Sequence, residues 1–240
     1  MRIDAYFAPS GVADGDVDGR VAVVIDVIRA TTCITEAMAN GARTIFPTAS
    51  IEEATKLGAS LDREQTLLCG ERKGVAISGF DLGNSPAEFT PERVAGKQLV
   101  MTTTNGTRAF LAAEDADLVL SACFQNLSAV VEAVGTERDL AVVCAGKEDQ
   151  FALDDVVCAG HLIRRVMARL AEPPELNDAA GAAATLAERF EPTADFLART
   201  AAGQALVRIG LESDLPLCAA VDKHTIVPRM YDRRISTPGE

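Results

Sequence analysis

The chain has 240 residues, of which 48% are hydrophobic and 24% are charged, as expected for a folded globular protein. Its formal net charge of −12 argues against binding to nucleic acid or to anionic membranes, because an acidic surface repels other polyanions. The chain shows no signal-peptide pattern and no apolar run of the ~20 residues that a membrane span needs. We therefore expect a cytoplasmic protein.

Short apolar, β-branched runs alternate with helical patterns from the start of the chain to about residue 171. Several of these runs are continuously apolar, which is typical of strands buried on both faces of a helix-covered sheet. The predicted strands are residues 3–7, 21–28, 44–47, 66–69, 98–102, 118–122 and 140–144. The pattern predicts an α/β fold with a mostly parallel or mixed central sheet.

Helical patterns fill the intervals between these strands and continue beyond them. The predicted helices of the first region are residues 32–40, 51–61, 107–113, 127–134 and 153–170. Residues 176–190 and 193–209 then predict an Ala-rich helical hairpin within 172–224, and the tail, 225–240, adds a strand at 225–227. We expect a single domain over residues 1–240, with the functional site in the α/β core of residues 1–171.

The chain has six cysteines, none of them in a CxxC pair. An even count permits a disulfide framework, but most of these residues lie among apolar neighbours in a long chain. We therefore expect buried free thiols in a reducing compartment. The six residues are Cys33, Cys69, Cys123, Cys144, Cys158 and Cys218.

Polar residues cluster where the predicted strands lead into helices, which is where ligands bind in open α/β sheets. Asp26 interrupts the apolar run of the second strand, and a buried carboxylate requires a cation or hydrogen-bond donors. One interpretation is an ion pair with Arg29. The other is a metal ligand or catalytic carboxylate.

The segment 102–108 joins a hydroxyl-rich strand end to a helix through Asn105 and Gly106. The first amides of a helix suit an anion such as phosphate, and Arg108 in the first turn opposes the helix dipole unless it serves a ligand. The alternative is an ordinary capping turn.

A carboxylate cluster is predicted from Asp26, Glu71 and one residue of the Asp154-Asp155 pair. Adjacent helical residues diverge by ~100°, so we do not expect both Asp154 and Asp155 to face one site. The helix dipole alone would also favour acidic residues there. Oxygen ligands beside a phosphate favour Mg²⁺, whereas two histidines in the whole chain argue against zinc.

Taken together, these motifs resemble the 2-phosphosulfolactate phosphatase (ComB) family over about residues 1–165. The resemblance is carried by VIDVIRATT at 24–32, CGERKG at 69–74, GFDLGNSP at 79–86, TTTNGT at 102–107, CAG at 144–146, the aspartate pair, and CAG at 158–160. The family often has Glu where Asp154 stands, and the region after residue 172 matches poorly.

This resemblance implies a three-layer α/β/α fold and a Mg²⁺-dependent hydrolase. The implied reaction converts (2R)-2-phospho-3-sulfolactate to 3-sulfolactate and phosphate, a step of coenzyme M biosynthesis in methanogens. The implied catalytic residues are Asp26 and Glu71, and the implied metal ligands are Asp26, Glu71, Asp154 and Asp155. The implied residues for the small anionic substrate are Arg29, Thr31, Arg72, Lys73, Thr104, Asn105, Gly106, Thr107 and Arg108.

Two other functions stay open. The same site would suit a phosphatase of a related small 2-phospho acid, such as phospholactate or phosphoglycerate. A non-catalytic anion-binding protein would keep the loops without turnover, although it gains nothing from a buried Asp26 without a cation. The sequence does not determine the oligomeric state, and a homodimer is one candidate.

Overall fold

A computed structural model describes residues 1–237 and confirms an α/β fold with a mixed, mostly parallel sheet. Its strands are β1 (Arg2–Tyr6), β2 (Val21–Ile25), β3 (Thr44–Pro47), β4 (Thr66–Arg72), β5 (Val75–Ala76), β6 (Gln98–Thr102), β7 (Leu118–Ala122), β8 (Leu140–Cys144), β9 (Glu175–Leu176), β10 (Arg229–Tyr231) and β11 (Arg234–Ser236). They pair in the order β5-β4-β6-β3-β11-β10-β7-β2-β8-β1-β9.

Helices cover both faces of this sheet. They are α1 (Ala30–Ala39), α2 (Ile51–Ser60), α3 (Pro91–Val94), α4 (Gly106–Ala112), α5 (Leu127–Val134), α6 (Leu153–Met167), α7 (Asp178–Ala187), α8 (Ala194–Arg199), α9 (Ala201–Arg208) and α10 (Leu215–Ala219). No helix within residues 1–237 is long and apolar enough to cross a membrane.

Strand β2 is buried on both faces, and its side chains alternate between two hydrophobic cores. Val23 and Ile25 pack with α5, α6 and α7 on one face, and Val24 packs with α1, α3 and α4 on the other. This alternation follows from the two-residue period of a strand. It produces the three layers that the family resemblance implies.

The sheet consists of two parallel halves that run in opposite directions. Strands β1, β2, β7 and β8 are parallel to one another, and so are β3, β4 and β6. The antiparallel hairpin β10–β11 lies between β7 and β3. Both halves contribute to the core around α1 and α4, so loops from the two halves approach the same region.

Several predicted element boundaries were wrong, and in three elements the structure shows a local reason. Strand β2 ends at Ile25 rather than at 28, because the amides of Asp26 and Val27 turn to side-chain acceptors. The predicted helix 193–209 is divided into α8 and α9 at Thr200, whose hydroxyl caps α9 by accepting from the Gly203 amide. Helix 176–190 is shorter than predicted because Asn177 caps α7. Helix 153–170 ends at Met167.

The predicted tail strand 225–227 was also wrong, since those residues form no strand. The hairpin β10–β11 lies just beyond them and turns at Asp232 and Arg233, both with positive φ, as a two-residue hairpin loop requires. The prediction for the cysteines is confirmed, because all six are buried free thiols.

Candidate active site

A cavity of about 320 Å³ lies among the loops that follow β2, β4, β6 and β8, with α9 along one side. Eight of the residues predicted for the site line it: Asp26, Arg29, Glu71, Lys73, Thr104, Asn105, Asp154 and Asp155. From the sequence, these loops were predicted to lie together at one edge of the sheet, where its strands end. In the structure they come from the two opposed half-sheets and meet at the cavity between them.

Asp26 is held by backbone groups at the start of α1. The Thr31 hydroxyl accepts from the Asp26 amide at 3.0 Å and donates to the Asp26 carbonyl at 2.8 Å. Oδ1 of Asp26 accepts from the Ala30 amide at 3.2 Å. A side chain at Gly106 would come within 2.8 Å of Asp26 Oδ2. Thr31 and Gly106 therefore support Asp26 from behind and do not line the cavity.

Three aspartates of this cavity, Asp26, Asp154 and Asp155, have raised pKa values. Burial is the main cause that raises the pKa of Asp26 to about 7, and the negative charges of Asp154 and Glu71 contribute to the rise. The hydrogen bond from the Ala30 amide and the positive charge of Arg29 act in the opposite direction and lower this pKa. Burial raises the pKa of Asp154 to about 6, against the opposing effects of its own backbone amide, Thr200 and Lys147. Burial and the charges of Asp154 and Asp26 also raise the pKa of Asp155.

Glu71 and Asp155 both fasten loops through backbone amides. The Glu71 carboxylate accepts from the Gly74 amide at 2.6 Å and the Thr104 amide at 2.7 Å. The Asp155 carboxylate accepts from the Val27 and Gly146 amides at 2.8 and 3.0 Å. Asp154 and Asp155 both line the cavity, although only one was expected there. Their roles differ because Asp155 is engaged by two amides.

Arg29 is buried and pairs with Asp214, not with Asp26. Its guanidinium donates to Asp214 Oδ2 at 2.8 Å and to the Gly74 carbonyl at 2.8 Å. Both side chains of the pair are almost fully buried, with 3% and 2% exposure. The proposed Asp26–Arg29 ion pair is absent from the described residues, and the charge of Arg29 is balanced by Asp214 instead.

Three other predicted residues point elsewhere. Arg72 donates to Thr102 Oγ1 at 2.9 Å. Arg108 is 55% exposed and lies 3.8 Å from Asp149. Thr107 accepts from the Thr103 amide and closes the turn before α4. None of the three lines the cavity.

The sequence did not single out several residues that line the cavity. Lys147 lies in the polar loop after β8, and Asn84 lies in the 79–86 motif. The sequence around each of these two residues could therefore have indicated a position in the site. Helix α9 lines one wall through Ala202, Ala205 and Leu206. Nothing in its Ala-rich sequence indicated this position.

The charge of the cavity bears on whether a metal fits. Five carboxylates and three basic side chains line it: Asp26, Glu71, Glu148, Asp154 and Asp155 against Arg29, Lys73 and Lys147. An anionic ligand needs additional positive charge in such a place. Within residues 1–237, no three acidic, histidine or cysteine side chains are arranged to hold a metal by themselves. A divalent cation is often held by only one or two carboxylates plus a substrate phosphate, so a lining without a three-ligand cluster is compatible with such an ion.

Comparisons with known proteins give one consistent result. A model of the 2-phosphosulpholactate phosphatase family matches residues 6–233. The chain is 48% identical to a probable 2-phosphosulfolactate phosphatase of Symbiobacterium thermophilum, over 88% of this chain and 91% of that protein. It is 36% identical to one of Caldanaerobacter subterraneus subsp. tengcongensis, over 99% and 98%, and 38% identical to one of Thermotoga petrophila, over 96% of each.

Proposed function

Because the chain belongs to the 2-phosphosulpholactate phosphatase family, we propose that it hydrolyses (2R)-2-phospho-3-sulfolactate to 3-sulfolactate and phosphate with Mg²⁺. The observation that carries the proposal is the cavity itself. It combines Asp26 and Asp154, two buried carboxylates that form no ion pair with any of the described residues, with the lysines Lys73 and Lys147. Such a set suits a small phosphorylated acid and a divalent cation.

Asp26 and Asp154 are the residues that would hold Mg²⁺. When bound, the ion would supply positive charge against the phosphate oxygens. Glu71 and Asp155 would act through the backbone, because their carboxylates fix the loops that carry Lys73, Thr104 and Gly146. This division separates two ion-binding carboxylates from two that position the loops.

Lys73 and Lys147 would bind the anionic groups of the substrate. Lys73 is held at φ 53 at the end of β4, and Lys147 follows Gly146 in the loop after β8. Arg29 is held by Asp214 and the Gly74 carbonyl, so it can present a fixed guanidinium edge to the substrate. Rigid cations of this kind align the phosphate for attack with little loss of entropy on binding.

Asp26 is the stronger candidate for the general base. Water must lose a proton as its oxygen attacks phosphorus, while the bond between phosphorus and the C2 oxygen breaks and that oxygen takes up a proton. Both oxygens of Glu71 already accept from amides, whereas none of the described residues donates a hydrogen bond to Asp26 Oδ2.

The test is phosphate release from phosphosulfolactate by the native chain and by Asp26→Asn, with Mg²⁺ or with EDTA. We expect EDTA to abolish turnover and Asp26→Asn to lower kcat at least ~100-fold. Asp4→Asn is the control, because Asp4 is buried in an ion pair with Arg20 outside the cavity and should change stability more than kcat. Near-native kcat in Asp26→Asn would contradict the site assignment.

A panel of 2-phospho acids at equal concentration tests the substrate. We expect the highest kcat/KM for phosphosulfolactate, because its sulfonate adds a third anionic group for the lysines. A clear preference for 2-phospholactate or 2-phosphoglycerate would instead favour the phosphatase of a related acid. Binding of 3-sulfolactate without any phosphate release would favour the anion-binding protein.

A further inference from the structure

Asn105 stands at the N-cap position of α4, yet its side chain does not cap that helix. An asparagine at an N-cap normally accepts from an amide of the first turn, as Asn177 does from the Ala180 amide of α7. In the described part of the chain, the Asn105 side chain makes no such bond to α4. Thr103 takes this role instead, because its hydroxyl accepts from the Thr107 amide at 3.3 Å. The side chain of Asn105 is therefore left for another partner.

That partner lies on a loop across the cavity. Asn105 Oδ1 accepts from the Glu148 amide at 3.2 Å. Asn105 follows β6 of one half-sheet, whereas Glu148 lies in the loop after β8 of the other half. Both residues line the cavity, and so does Lys147, which immediately precedes Glu148. The hydrogen bond therefore joins the two halves directly beside a lysine of the cavity.

The loop that carries Lys147 forms a tight turn. The Lys147 amide donates to the Gln150 carbonyl at 2.9 Å, and the Gln150 amide donates to the Lys147 carbonyl at 3.1 Å. The two central residues, Glu148 and Asp149, have φ of 52° and 62°. Glutamate does not favour this left-handed conformation, and the preferred pair in two-residue turns of this shape is Asn-Gly. The turn therefore depends on hydrogen bonds from outside it.

Elements of its own half-sheet hold the turn at two points. The Gly146 amide donates to the Asp155 carboxylate at 3.0 Å, and Asp149 Oδ1 accepts from a backbone amide of the loop after β1 at 3.2 Å. Neither bond reaches the amide of Glu148, at the first left-handed position. Among the described residues, Asn105 supplies that bond from the other half.

We propose that Asn105 is a positioning residue, which holds the Glu148 amide and thereby the turn that presents Lys147 to the anionic ligand. The role of Lys147 in binding that ligand rests on the proposed function. The family resemblance implied that Asn105 contacts the substrate. In the role proposed here, it acts on the substrate through Lys147.

The test is a double-mutant cycle that combines Asn105→Ala with a turn that is stable by itself. The second change, Glu148→Asn with Asp149→Gly, introduces the pair that such turns prefer. Calorimetry in Mg²⁺ gives the dissociation constants of 3-sulfolactate and of inorganic phosphate. In the native turn, Asn105→Ala should raise both constants about three- to tenfold. In the redesigned turn, it should change them less than about twofold, because the turn no longer depends on Asn105.

Hydrogen exchange reports on the turn without any ligand. Asn105→Ala should speed the exchange of the amides of residues 147–150 in the native turn, and much less in the redesigned turn. Asn40→Ala is the control, because it removes an asparagine hydrogen bond to the Phe89 carbonyl outside the cavity. It should lower the urea midpoint and leave both dissociation constants and the exchange of the turn unchanged.

Equal losses of affinity in the two turns would overturn this inference, because Asn105 would then contact the ligand itself. Native exchange rates in Asn105→Ala would also overturn it, because the turn would not need Asn105. Neither readout requires turnover. If the native chain releases no phosphate but the cycle gives the expected difference, the proposed reaction fails and the role of Asn105 stands. Native turnover with equal losses in both turns would reject the role of Asn105 alone.

Discussion

At the scale of single residues, burying the carboxylate of Asp26 in the cavity lowers the free energy of unfolding when this group is charged. Burial raises the pKa of Asp26 to about 7, above its value in the unfolded chain. Its contribution to stability is therefore fully present below the unfolded pKa of ~3.9 and is lost as pH rises through about 7. In EDTA, we expect Asp26→Asn to be more stable than the native chain at pH 8, by roughly 1 kcal/mol or more, with the gain shrinking toward pH 4 in urea titrations.

Asp81→Asn is the matched control, because the pKa of Asp81 shifts the other way. Burial alone would raise this pKa, but Arg63 and the Leu68 amide lower it on balance. Asp81 thus contributes stability above its unfolded pKa and loses it as pH falls, so Asp81→Asn should be less stable than the native chain at pH 8. If both substitutions change the free energy of unfolding at pH 8 in the same direction, burial does not control the pKa of Asp26.

A residue of the site can be predicted from the sequence when its polarity differs from that of its neighbours in the chain. Asp26 was identifiable because a charge interrupts an apolar run. Arg29 was recognisable as a cation, but its partner Asp214 lies 185 positions away, and no local pattern links them. The different engagement of Asp154 and Asp155 depends on which amides lie opposite, and only folding decides that.

At the scale of elements, local periodicity predicted seven core strands and five core helices at nearly their observed positions. Errors appear where one hydroxyl or amide decides the boundary, as Thr200 does between α8 and α9. The C-terminal helices were harder to place. Their Ala-rich faces show amphipathicity, but they do not show that α9 covers the cavity or that Asp214, at the start of α10, reaches Arg29.

The Asp214–Arg29 pair makes a prediction about this connection. Asp214→Asn leaves a buried guanidinium without its counterion, which should lower the free energy of unfolding by ~3 kcal/mol. It should also lower kcat/KM, because Arg29 lines the cavity. Glu188→Gln is the control: its pair with Arg164 is about half exposed, so a loss below ~1 kcal/mol is expected. Similar losses in the two variants, measured by urea unfolding, would mean that the Arg29 pair does not fasten α10 to the site.

At the scale of the whole molecule, the site depends on how two half-sheets are joined. Asp26 and the aspartate pair follow β2 and β8 of one half, whereas Glu71 lies at the end of β4 and Thr104 follows β6 of the other half. In the order of the described strands, the halves connect through the hairpin β10–β11. The hairpin lies at the end of the chain and pairs with β7 and β3, which are far away in sequence. A local sequence pattern therefore could not predict that it connects the two halves.

The hairpin should therefore control the stability of the entire protein despite its short strands. Ile235 in β11 is fully buried and opposite Ile45 of β3, whereas Tyr231 in β10 is 86% exposed. Ile235→Ala should lower the free energy of unfolding by ~3 kcal/mol, and Tyr231→Ala by less than ~0.5 kcal/mol. Because the halves carry different parts of the site, phosphatase activity of Ile235→Ala should disappear on heating together with the sheet signal in circular dichroism. If activity instead survives after that signal is lost, the two halves hold the site together without the hairpin.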